Sequence, residues 1–453
     1  MRRVRRRLGS WPPARVDHSP PRTNGDPSIN KPTSTDALHE PSTDPQYATQ
    51  DRGGTIALLG YCIESIEAAQ RLGYDFVVVV PPGYEVGLEA EGIRALSWDF
   101  ERINDRSHHL ARDLKAMEVR LAVPLYEETV EWSGALNANF FDDPRLFNRA
   151  WLFRDKAMMK RKAQMSGIRV GVFEEVDSRV GVRRFFERVN TAAGVLDGDV
   201  SFPIHMKPTS AAGSVGHRMI RGLEDLDTIP DTDFPCMVES HLDGQEFSCE
   251  VFVHDGKIRF LNINEYIHLG FSQLLPPTPK LEAMRPMIRT AVEELIDAFG
   301  IQHGLLHPEY FIDSKGRLNF GEVANRIPGG HIFELIQRAY GFDPFAGQIL
   351  CSDPSTTEEE LAAFFPDEVE GKRGHAGNLL VYPRQSYVTE LSIPEELTAE
   401  PYFVKHSLFE PVHQKVAART GFGNHYGKID FFGEDPERLR SVLERFEDVD
   451  YYV

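Results

Sequence analysis

The sequence predicts a chain that combines α/β and α+β architecture, with an open parallel sheet first and antiparallel strands after it. From Thr55 onward, buried strand segments alternate with amphipathic helical segments, as in TIALLG, ESIEAAQRLG and DFVVVVPPG, a pattern typical of a parallel sheet. Beyond residue 200, short apolar runs are joined by tight turns such as HDGK, which favours antiparallel pairing. Because 453 residues exceed what one hydrophobic core uses, we expect two or three domains.

The composition excludes several classes of protein. Apolar residues make up 41% of the chain, too much for a disordered protein. The net charge of −19 repels phosphates, so we expect no nucleic-acid partner. No apolar stretch approaches the roughly 20 residues of a membrane helix, so we expect no membrane partner. Four scattered cysteines without a C-x-x-C pair signal neither a zinc site nor a disulfide framework and fit a cytoplasmic protein.

Residues 1 to 54 form a segment of their own. They hold eight of the 30 prolines and an arginine cluster at positions 2, 3, 5, 6 and 7. This composition predicts a disordered tail. A targeting or partner-binding arm is the alternative, although no apolar run follows that would make it a secretory signal.

The first folded domain is predicted over residues 55 to 148. Its later elements are a helix at about residues 105 to 117, a strand at VRLAVPL and a helix from Tyr126. A dinucleotide site is the obvious hypothesis for such a sheet. The first turn, GYCIES, has one glycine where the G-x-G-x-x-G fingerprint needs three. The sequence therefore favours a sheet that does not bind NAD.

The segment FPIHMKPTSAAGSVGHRMI is the first stretch that indicates a ligand. A predicted strand ends at Lys207, and small residues follow from Thr209 to Gly216. Small residues let backbone N–H groups approach an anion, while the hydroxyl groups of Ser210 and Ser214 and the lysine charge suit phosphate oxygens. The lysine precedes the glycines, so this is not a Walker A loop. A phosphate-covering loop and an ordinary turn both stay open.

Three polar side chains share one face of the next predicted strand, QEFSCEVFV. They are Glu246, Ser248 and Glu250, because side chains alternate along a strand. A solvated sheet face and a ligand-binding face are equally compatible with this pattern.

A pair of carboxylates follows in LLHPEYFIDSKGRLNFGEV. If Ile312 pairs with Arg317 across the turn, Glu309 lies opposite Phe320 and diagonal to Glu322, on one face of the hairpin. Two carboxylates in that arrangement repel each other unless a cation lies between them. Magnesium prefers oxygen ligands and bridges carboxylates to nucleotide phosphates. This register predicts a magnesium site.

Two more candidate ligand groups lie in or near this hairpin. Arg326 could hold a carboxylate or a phosphoryl group through its planar guanidinium, or form an ordinary salt bridge. His303 and His307 have i, i+4 spacing, but Gly304 and Pro308 argue against a helix. We therefore reject a histidine metal site here.

Taken in their order along the chain, these features resemble the ATP-grasp superfamily of ligases. The matching stretches are RDKAMMK, MKPTSAAGSVG, VESHLDGQEFSCE, HPEYF and FGEVANRIPGG. The resemblance covers residues 55 to about 350 well and the last hundred residues weakly. It implies an ATP-grasp domain of two α+β lobes that clasp ATP over residues 149 to 355. For residues 356 to 453, a Gly-rich segment and the helix predicted for DPERLRSVLERF, with Asp435 as N-cap, indicate a small C-terminal α/β lobe.

The resemblance also implies a role for each matching residue. Contacts with the ATP phosphates are implied for Lys156, Lys207, Thr209, Ser210, Gly213 and Ser214, and contacts with adenosine for Glu239, Leu242 and Glu246. The implied metal ligands are Glu309, Glu322 and Asn325, and the implied catalytic residues are Arg326 and Lys207. Many members carry Asn two residues after the second metal glutamate, whereas Ala324 occupies that position here and Asn325 follows.

The implied activity is that of a ligase dependent on ATP and on Mg²⁺, with Mn²⁺ as an alternative metal. Such an enzyme joins a carboxylate to an amine, for example on amino acids or peptides, through an acyl phosphate, and releases ADP and phosphate. Small-molecule substrates are the expected partners, and a homodimer is left open. The alternatives are a ligase with a thiol or bicarbonate acceptor, and an inactive nucleotide-binding protein that acts through its tail.

Overall fold

The computed structural model describes residues 53–101, 107–192, 202–210, 213–411, 414–416, 421–423 and 425–453. Apart from Gly53 and Gly54, the predicted tail lies outside the described residues, as do Ala211 and Ala212 of the predicted phosphate loop. Among the described residues, no helix is both long and apolar enough to cross a membrane.

The first four strands form a parallel sheet in the order β3-β2-β1-β4. Its strands and helices are β1 (Thr55–Leu59), α1 (Ile63–Arg71), β2 (Asp75–Val80), α2 (Glu85–Ala90), β3 (Ala95–Ser97), α3 (Ser107–Ala116), β4 (Val119–Pro124) and α4 (Thr129–Phe140). Ile56 and Leu58 pack into one hydrophobic core, while Ala57 and Leu59 pack into another. Burial of both faces explains why TIALL is almost entirely apolar.

The single glycine of the first turn has a structural reason that involves no phosphate. Gly60 follows β1 with φ +113°, a conformation that side-chain-bearing residues avoid. A Cβ atom there would lie 2.5 Å from the ring of Tyr126. Backbone conformation and the packed tyrosine ring are therefore enough to require glycine.

A small antiparallel sheet comes next, in the order β5-β8-β6-β7. Two helices lead into it and a third packs on its core. These elements are α5 (Arg145–Leu152), α6 (Lys156–Met165), β5 (Phe173–Val176), α7 (Arg179–Ala192), β6 (Ile204–Lys207), β7 (Arg218–Ile220) and β8 (Cys236–Ser240).

The central sheet has eight antiparallel strands in the order β13-β12-β9-β10-β11-β14-β18-β16. The elements up to residue 352 are β9 (Gln245–His254), β10 (Lys257–His268), β11 (Ser272–Leu275), α8 (Pro279–Glu282), α9 (Arg285–Phe299), β12 (His303–Ile312), β13 (Leu318–Ala324), α10 (Ile332–Tyr340) and α11 (Pro344–Ser352). Helix α9 ends at Gly300, whose φ of +66° is that of a left-handed helix terminus.

The last hundred residues extend the same sheet. Their elements are α12 (Glu358–Phe364), β14 (His375–Leu380), β15 (Tyr387–Val388), α13 (Glu395–Thr398), β16 (Phe403–Leu408), β17 (Gln414–Lys415), β18 (Gly427–Gly433) and α14 (Pro436–Glu447). Strands β15 and β17 form a separate two-stranded sheet. The described residues all belong to one compact unit, and the boundaries at residues 148 and 355 stay predictions.

Candidate active site

One cavity of about 730 Å³ is lined by residues of both the small sheet and the central sheet. Its volume falls within the range of small-molecule sites. Ten residues with a predicted site role line it: Lys156, Lys207, Gly213, Ser214, Glu239, Leu242, Glu246, Glu309, Glu322 and Arg326. The cavity therefore brings together residues separated by 170 positions in the chain.

Three lysines form ion pairs with two glutamates that line this cavity: Lys160 and Lys207 with Glu239, and Lys156 with Glu322. The side chain of Asp155 accepts a hydrogen bond from the N–H of Met158 and caps α6, so Lys156 and Lys160 lie one turn apart. Lys156 forms an ion pair with Glu322. Lys160, which the sequence analysis missed, is 1% exposed, and its Nζ lies 2.6 Å from Glu239 Oε1.

Lys207 completes this arrangement from strand β6. Its Nζ lies 3.5 Å from Glu239 Oε2. Burial raises the pKa of Glu239, but Lys160 and Lys207 lower it further than burial raises it. Burial lowers the pKa of Lys207, and the surrounding glutamates, Glu239 first, raise it above its ordinary value. Glu239 is therefore an anion and Lys207 a cation at neutral pH.

Glu309 and Glu322 lie directly opposite each other on β12 and β13. The predicted register was wrong by one residue, because Ile312 pairs with Leu318 and not with Arg317. A β-bulge nevertheless brings Glu322 to the same face of the hairpin as Glu309. The register shifts between Glu309 and Tyr310, and Gly321 is the extra residue on β13. Without this bulge Glu322 would lie on the other face of the hairpin.

The bulge is fitted tightly into the site. A Cβ atom on Gly321 would lie 3.0 Å from the carbonyl oxygen of Glu309 and 3.1 Å from the ring of Phe311. The carbonyl oxygen of Gly321 accepts a hydrogen bond of 2.6 Å from Lys160 Nζ. Lys160 thus links the glutamate of the small sheet to the hairpin that carries the carboxylate pair.

The polar face of β9 is buried and not solvated. Glu250 and Ser248 are 0% exposed, and Glu250 accepts hydrogen bonds from Ser248 Oγ (3.1 Å) and Asn262 Nδ2 (2.6 Å). Glu246 lines the cavity itself, and its pKa is raised to about 8 by burial and by the charge of Glu309.

His307, for which the sequence predicted no role, pairs with two glutamates. Its Nδ1 lies 3.0 Å from Glu250 Oε1 and its Nε2 lies 3.5 Å from Glu309 Oε1. Burial lowers the pKa of His307, but the two glutamates raise it to about 9, so the ring is a cation at neutral pH. Since His307 and Glu309 are two residues apart on a strand, their shared face was available from the sequence.

Three histidines form a row beside the lysines. His205 lies two residues before Lys207 on β6 and lines the same cavity. Its Nδ1 lies 2.7 Å from His217 Nε2, and its Nε2 lies 2.8 Å from His241 Nδ1. Burial, with the charges of its neighbours, lowers the pKa of His205 to about 3, which leaves a neutral ring that donates at one nitrogen and accepts at the other. No local sequence pattern connects these three positions.

Among the described residues of the predicted phosphate loop, Gly213, Ser214 and Val215 line the cavity. Gly213 and Ser214 line the cavity with φ values of +60°. The carbonyl oxygen of Gly213 accepts a hydrogen bond from the N–H of Phe422 (3.1 Å). Thr209 and Ser210 do not line the cavity, although the Thr209 carbonyl accepts a hydrogen bond from the N–H of Lys156 (3.0 Å).

The C-terminal residues close another side of the cavity. The lining includes Asn378, Leu380, Phe422, Gly423 and His425, from a part of the chain for which the sequence offered no motif. Tyr382 donates hydrogen bonds to the carbonyl oxygens of Gly270 and Phe422 (3.1 and 2.9 Å) and so holds this segment against the central sheet.

Arg326 and Asn325 lie in different places. Arg326 lines the cavity, and its Nε donates to Glu127 Oε2 (2.9 Å), whose other oxygen accepts from Arg154 (2.7 Å). Asn325 does not reach the carboxylate pair. Its Nδ2 donates to the carbonyl oxygen of Leu305 (2.7 Å), and the residue lines a second cavity. This corrects the predicted metal set: Asn325 follows the end of β13, on the side away from Glu322.

The residues of the cavity fit a magnesium nucleotide. Glu309 and Glu322 supply carboxylate oxygens, the donor type that Mg²⁺ prefers. Lys156 and Lys207 lie beside these carboxylates and are each paired with a glutamate. A metal held by Glu309 and Glu322, with a phosphate oxygen on Lys156, would replace the Lys156–Glu322 ion pair.

No protein-family model matches the chain, but individual proteins do. The chain is 25% identical over 253 residues to the L-arginine-specific L-amino acid ligase of Bacillus subtilis, a match that spans 51% of this chain and 58% of that protein. It thus spans little more than half of this relative.

Solved structures match over nearly the whole chain. An L-amino acid ligase from Bacillus licheniformis has a TM-score of 0.68 at 17% identity, over 89% of this chain and 99% of that one. N5-carboxyaminoimidazole synthetase from Staphylococcus aureus, solved with ADP, has a TM-score of 0.65 at 16% identity, over 87% and 97%. The fold is therefore that of the ATP-grasp ligases, and both the predicted fold class and the predicted resemblance are confirmed. Within this class, the chain is similar to amino acid ligases.

Proposed function

We propose that the chain is an ATP-dependent ligase that joins the carboxylate of one amino acid or small peptide to the amine of another. The observation that carries this proposal is the pair of opposed carboxylates, Glu309 and Glu322, in one cavity with Lys156 and Lys207. The name of the Bacillus subtilis relative, an L-amino acid ligase, supports the choice of substrate class.

Each group in the cavity has a role in this proposal. Glu309 and Glu322 would hold Mg²⁺, and Lys156 and Lys207 would bind the phosphate oxygens that the metal leaves exposed. Gly213 and Ser214 would cover the phosphates with backbone N–H groups. Leu242 and Glu246 would contact the adenosine, next to Glu239, whose carboxylate is already held by Lys160 and Lys207 and whose backbone pairs with β5 and β6.

The chemistry proceeds by displacement at phosphorus and then at carbon. ATP supplies the phosphoryl group that activates the substrate carboxylate, and an amine then displaces phosphate from the acyl carbon and loses a proton. The chain's own contribution is positive charge fixed around the phosphoryl oxygens. Arg326, whose guanidinium is oriented by Glu127, would hold the substrate carboxylate.

The test is a screen of amino acid pairs with the full chain, ATP and Mg²⁺. Phosphate release should require both substrates, and mass spectrometry should find a product with the summed mass of the two amino acids minus one water. Bicarbonate and a thiol serve as competing acceptors in parallel reactions. A carboxylated or thioester product would show that the acceptor is bicarbonate or a thiol and not an amine. Nucleotide binding without any substrate-dependent phosphate release would refute the proposed ligase activity.

A further inference from the structure

A second group of chemically active side chains lies at the opposite end of the strands that carry the active site. His254 ends β9, Asp255 follows it in the turn with φ +52°, and His303 begins β12 directly opposite His254. Eight residues separate His254 from Glu246 along β9, roughly 26 Å at about 3.3 Å per residue. The group is therefore independent of the cavity described above and of the function proposed for it.

The three side chains converge on one point. His254 Nδ1 lies 3.7 Å from Asp255 Oδ2, and His303 Nε2 lies 3.6 Å from Asp255 Oδ1. One ligand atom from each residue lies within 4.8 Å of the others. Ligands bound to one tetrahedral metal at bonds of about 2 Å are about 3.3 Å apart, so a small side-chain adjustment would close the site.

The orientation of His254 is that of a metal ligand. Its Nε2 lies 3.1 Å from the backbone carbonyl oxygen of Asp353, which can only accept, so the ring proton is on Nε2 and Nδ1 carries the lone pair. That Nδ1 is buried and makes no hydrogen bond with any described residue. Histidines that bind metals are typically held in this way through the other ring nitrogen.

His303 faces the same carboxylate with its Nε2, which lies 3.6 Å from Asp255 Oδ1. Among the described residues, the unpartnered nitrogen that faces Asp255 is therefore His254 Nδ1. Buried polar atoms without partners are rare in folded proteins and call for an explanation such as a bound ion. A cation held by His254 Nδ1, an oxygen of Asp255 and His303 Nε2 would supply that partner.

We propose that His254, Asp255 and His303 bind a divalent transition metal ion of the Zn²⁺ class. Two imidazoles and a carboxylate suit such a metal better than Mg²⁺ or Ca²⁺, which take oxygen ligands. His254 is 2% exposed while the side chain of Asp255 is 59% exposed, so the ion enters from the Asp255 side and keeps a coordination position for water.

The metal stabilises a junction between the parallel sheet and the central sheet. The carboxylate of Asp353 accepts hydrogen bonds from Arg120 on β4 (2.8 and 2.7 Å) and from Tyr74 (2.7 Å), while its carbonyl oxygen holds His254. An ion bound to His254 and His303 thus fixes the end of β9 and the start of β12 relative to Asp353, the residue that contacts Arg120 of the parallel sheet.

The experiment uses the full chain without an affinity tag, stripped of metal with a chelator. Co²⁺ is the probe, because its visible absorption is strong when nitrogen and oxygen ligands bind it with a low coordination number. Competition with Zn²⁺ then gives the zinc affinity. We expect one equivalent of Co²⁺ to bind, and added Zn²⁺ to raise the melting temperature. His303→Ala should weaken binding by roughly a hundredfold or more, since losing a residue that merely orients a ligand already costs about ten- to a hundredfold.

The controls separate this site from other histidines. Asp255→Asn keeps the turn, because Asn tolerates a positive φ, and should weaken binding in a folded protein even if His254→Ala does not fold. The exposed His406→Ala should bind like the parent. If His303→Ala and Asp255→Asn bind Co²⁺ as the parent does, or if binding is lost only in His217→Ala, the proposal is wrong.

Discussion

At the scale of single residues, Lys160 joins two parts of the site that come from different sheets. Its buried ammonium group lies between Glu239 and the carbonyl oxygen of Gly321. Lys160→Met should lower stability by about 3 to 5 kcal/mol, because it leaves Glu239 buried beside one partner. Adding Glu239→Gln should recover part of that loss, measured as chemical denaturation midpoints of both variants. Equal losses in the single and the double variant would mean that the ion pair contributes nothing.

Lys207 tests the phosphate site directly. Its charge is held in a partly desolvated position beside Glu239, so Lys207→Ala should weaken ATP binding about tenfold and slow phosphate release by a hundredfold or more. Calorimetric titration with ATP and a phosphate assay measure the two effects. Lys162→Ala removes an exposed lysine of α6 and should change neither, and equal behaviour of the two variants would refute a phosphate-binding role for Lys207.

Glu322 tests the metal site. Glu322→Gln keeps the shape of the side chain but removes one of two opposed negative charges, so it should bind Mg²⁺ more weakly and release phosphate about a hundredfold more slowly. Rates at increasing Mg²⁺ with saturating ATP measure both effects. The matched change Glu293→Gln on the outside of α9 should have no effect. A parental Mg²⁺ dependence in Glu322→Gln would exclude this carboxylate as a ligand.

At the scale of elements, the bulge at Gly321 determines the geometry of the carboxylate pair. Gly321→Ala would place a methyl group 3.0 Å from the Glu309 carbonyl oxygen, which should push β13 from β12 and lower stability by about 1 to 3 kcal/mol. Phosphate release should fall with it. Gly87→Ala is the control, because a Cβ atom there meets nothing within 4 Å. Thermal unfolding compares the two, and an unchanged melting temperature for Gly321→Ala would show that the bulge can relax.

The same hairpin shows what sequence could predict and what it could not. Strand alternation predicted that Glu309 and Glu322 share one face, but the assumed register was wrong by one residue and the bulge compensates for that error. Nothing local distinguishes Arg317 from Leu318 as the partner of Ile312. Lys160, 161 residues away in sequence, donates a hydrogen bond to the carbonyl oxygen of the bulged Gly321, and no local pattern encodes such a contact. His307 was accessible from strand alternation, but it was weighed only as a helical metal ligand.

At the scale of the whole molecule, the C-terminal residues are part of the site through the shared sheet. Strands β14 and β18 continue the central sheet beyond β11. The cavity lining includes Asn378 and Leu380 of β14 and Phe422, Gly423 and His425, which precede β18. The sequence predicted a lobe here without a binding role, because its contribution consists of sheet pairing and side chains such as Phe422 that belong to no motif.

One ion pair attaches these C-terminal strands to α10, and it makes stability depend on pH. Glu334 on α10 pairs with Lys428 on β18 and with His331. Burial raises the pKa of Glu334, but His331 and Lys428 lower it to about 2, below the unfolded value of about 4.3. A lowered folded pKa stabilises above the unfolded value and loses that contribution as the pH falls from about 4.3 to about 2. The side chain is 37% exposed, so the contribution should stay below about 1 kcal/mol.

Glu334→Gln should therefore be less stable than the parent at pH 7, and the difference should shrink between pH 4.5 and 2.5. Denaturation midpoints across this range, beside the exposed Glu359→Gln, measure it. A difference between Glu334→Gln and the parent that does not change with pH would show that the carboxylate's charge does not hold the C-terminal strands to α10.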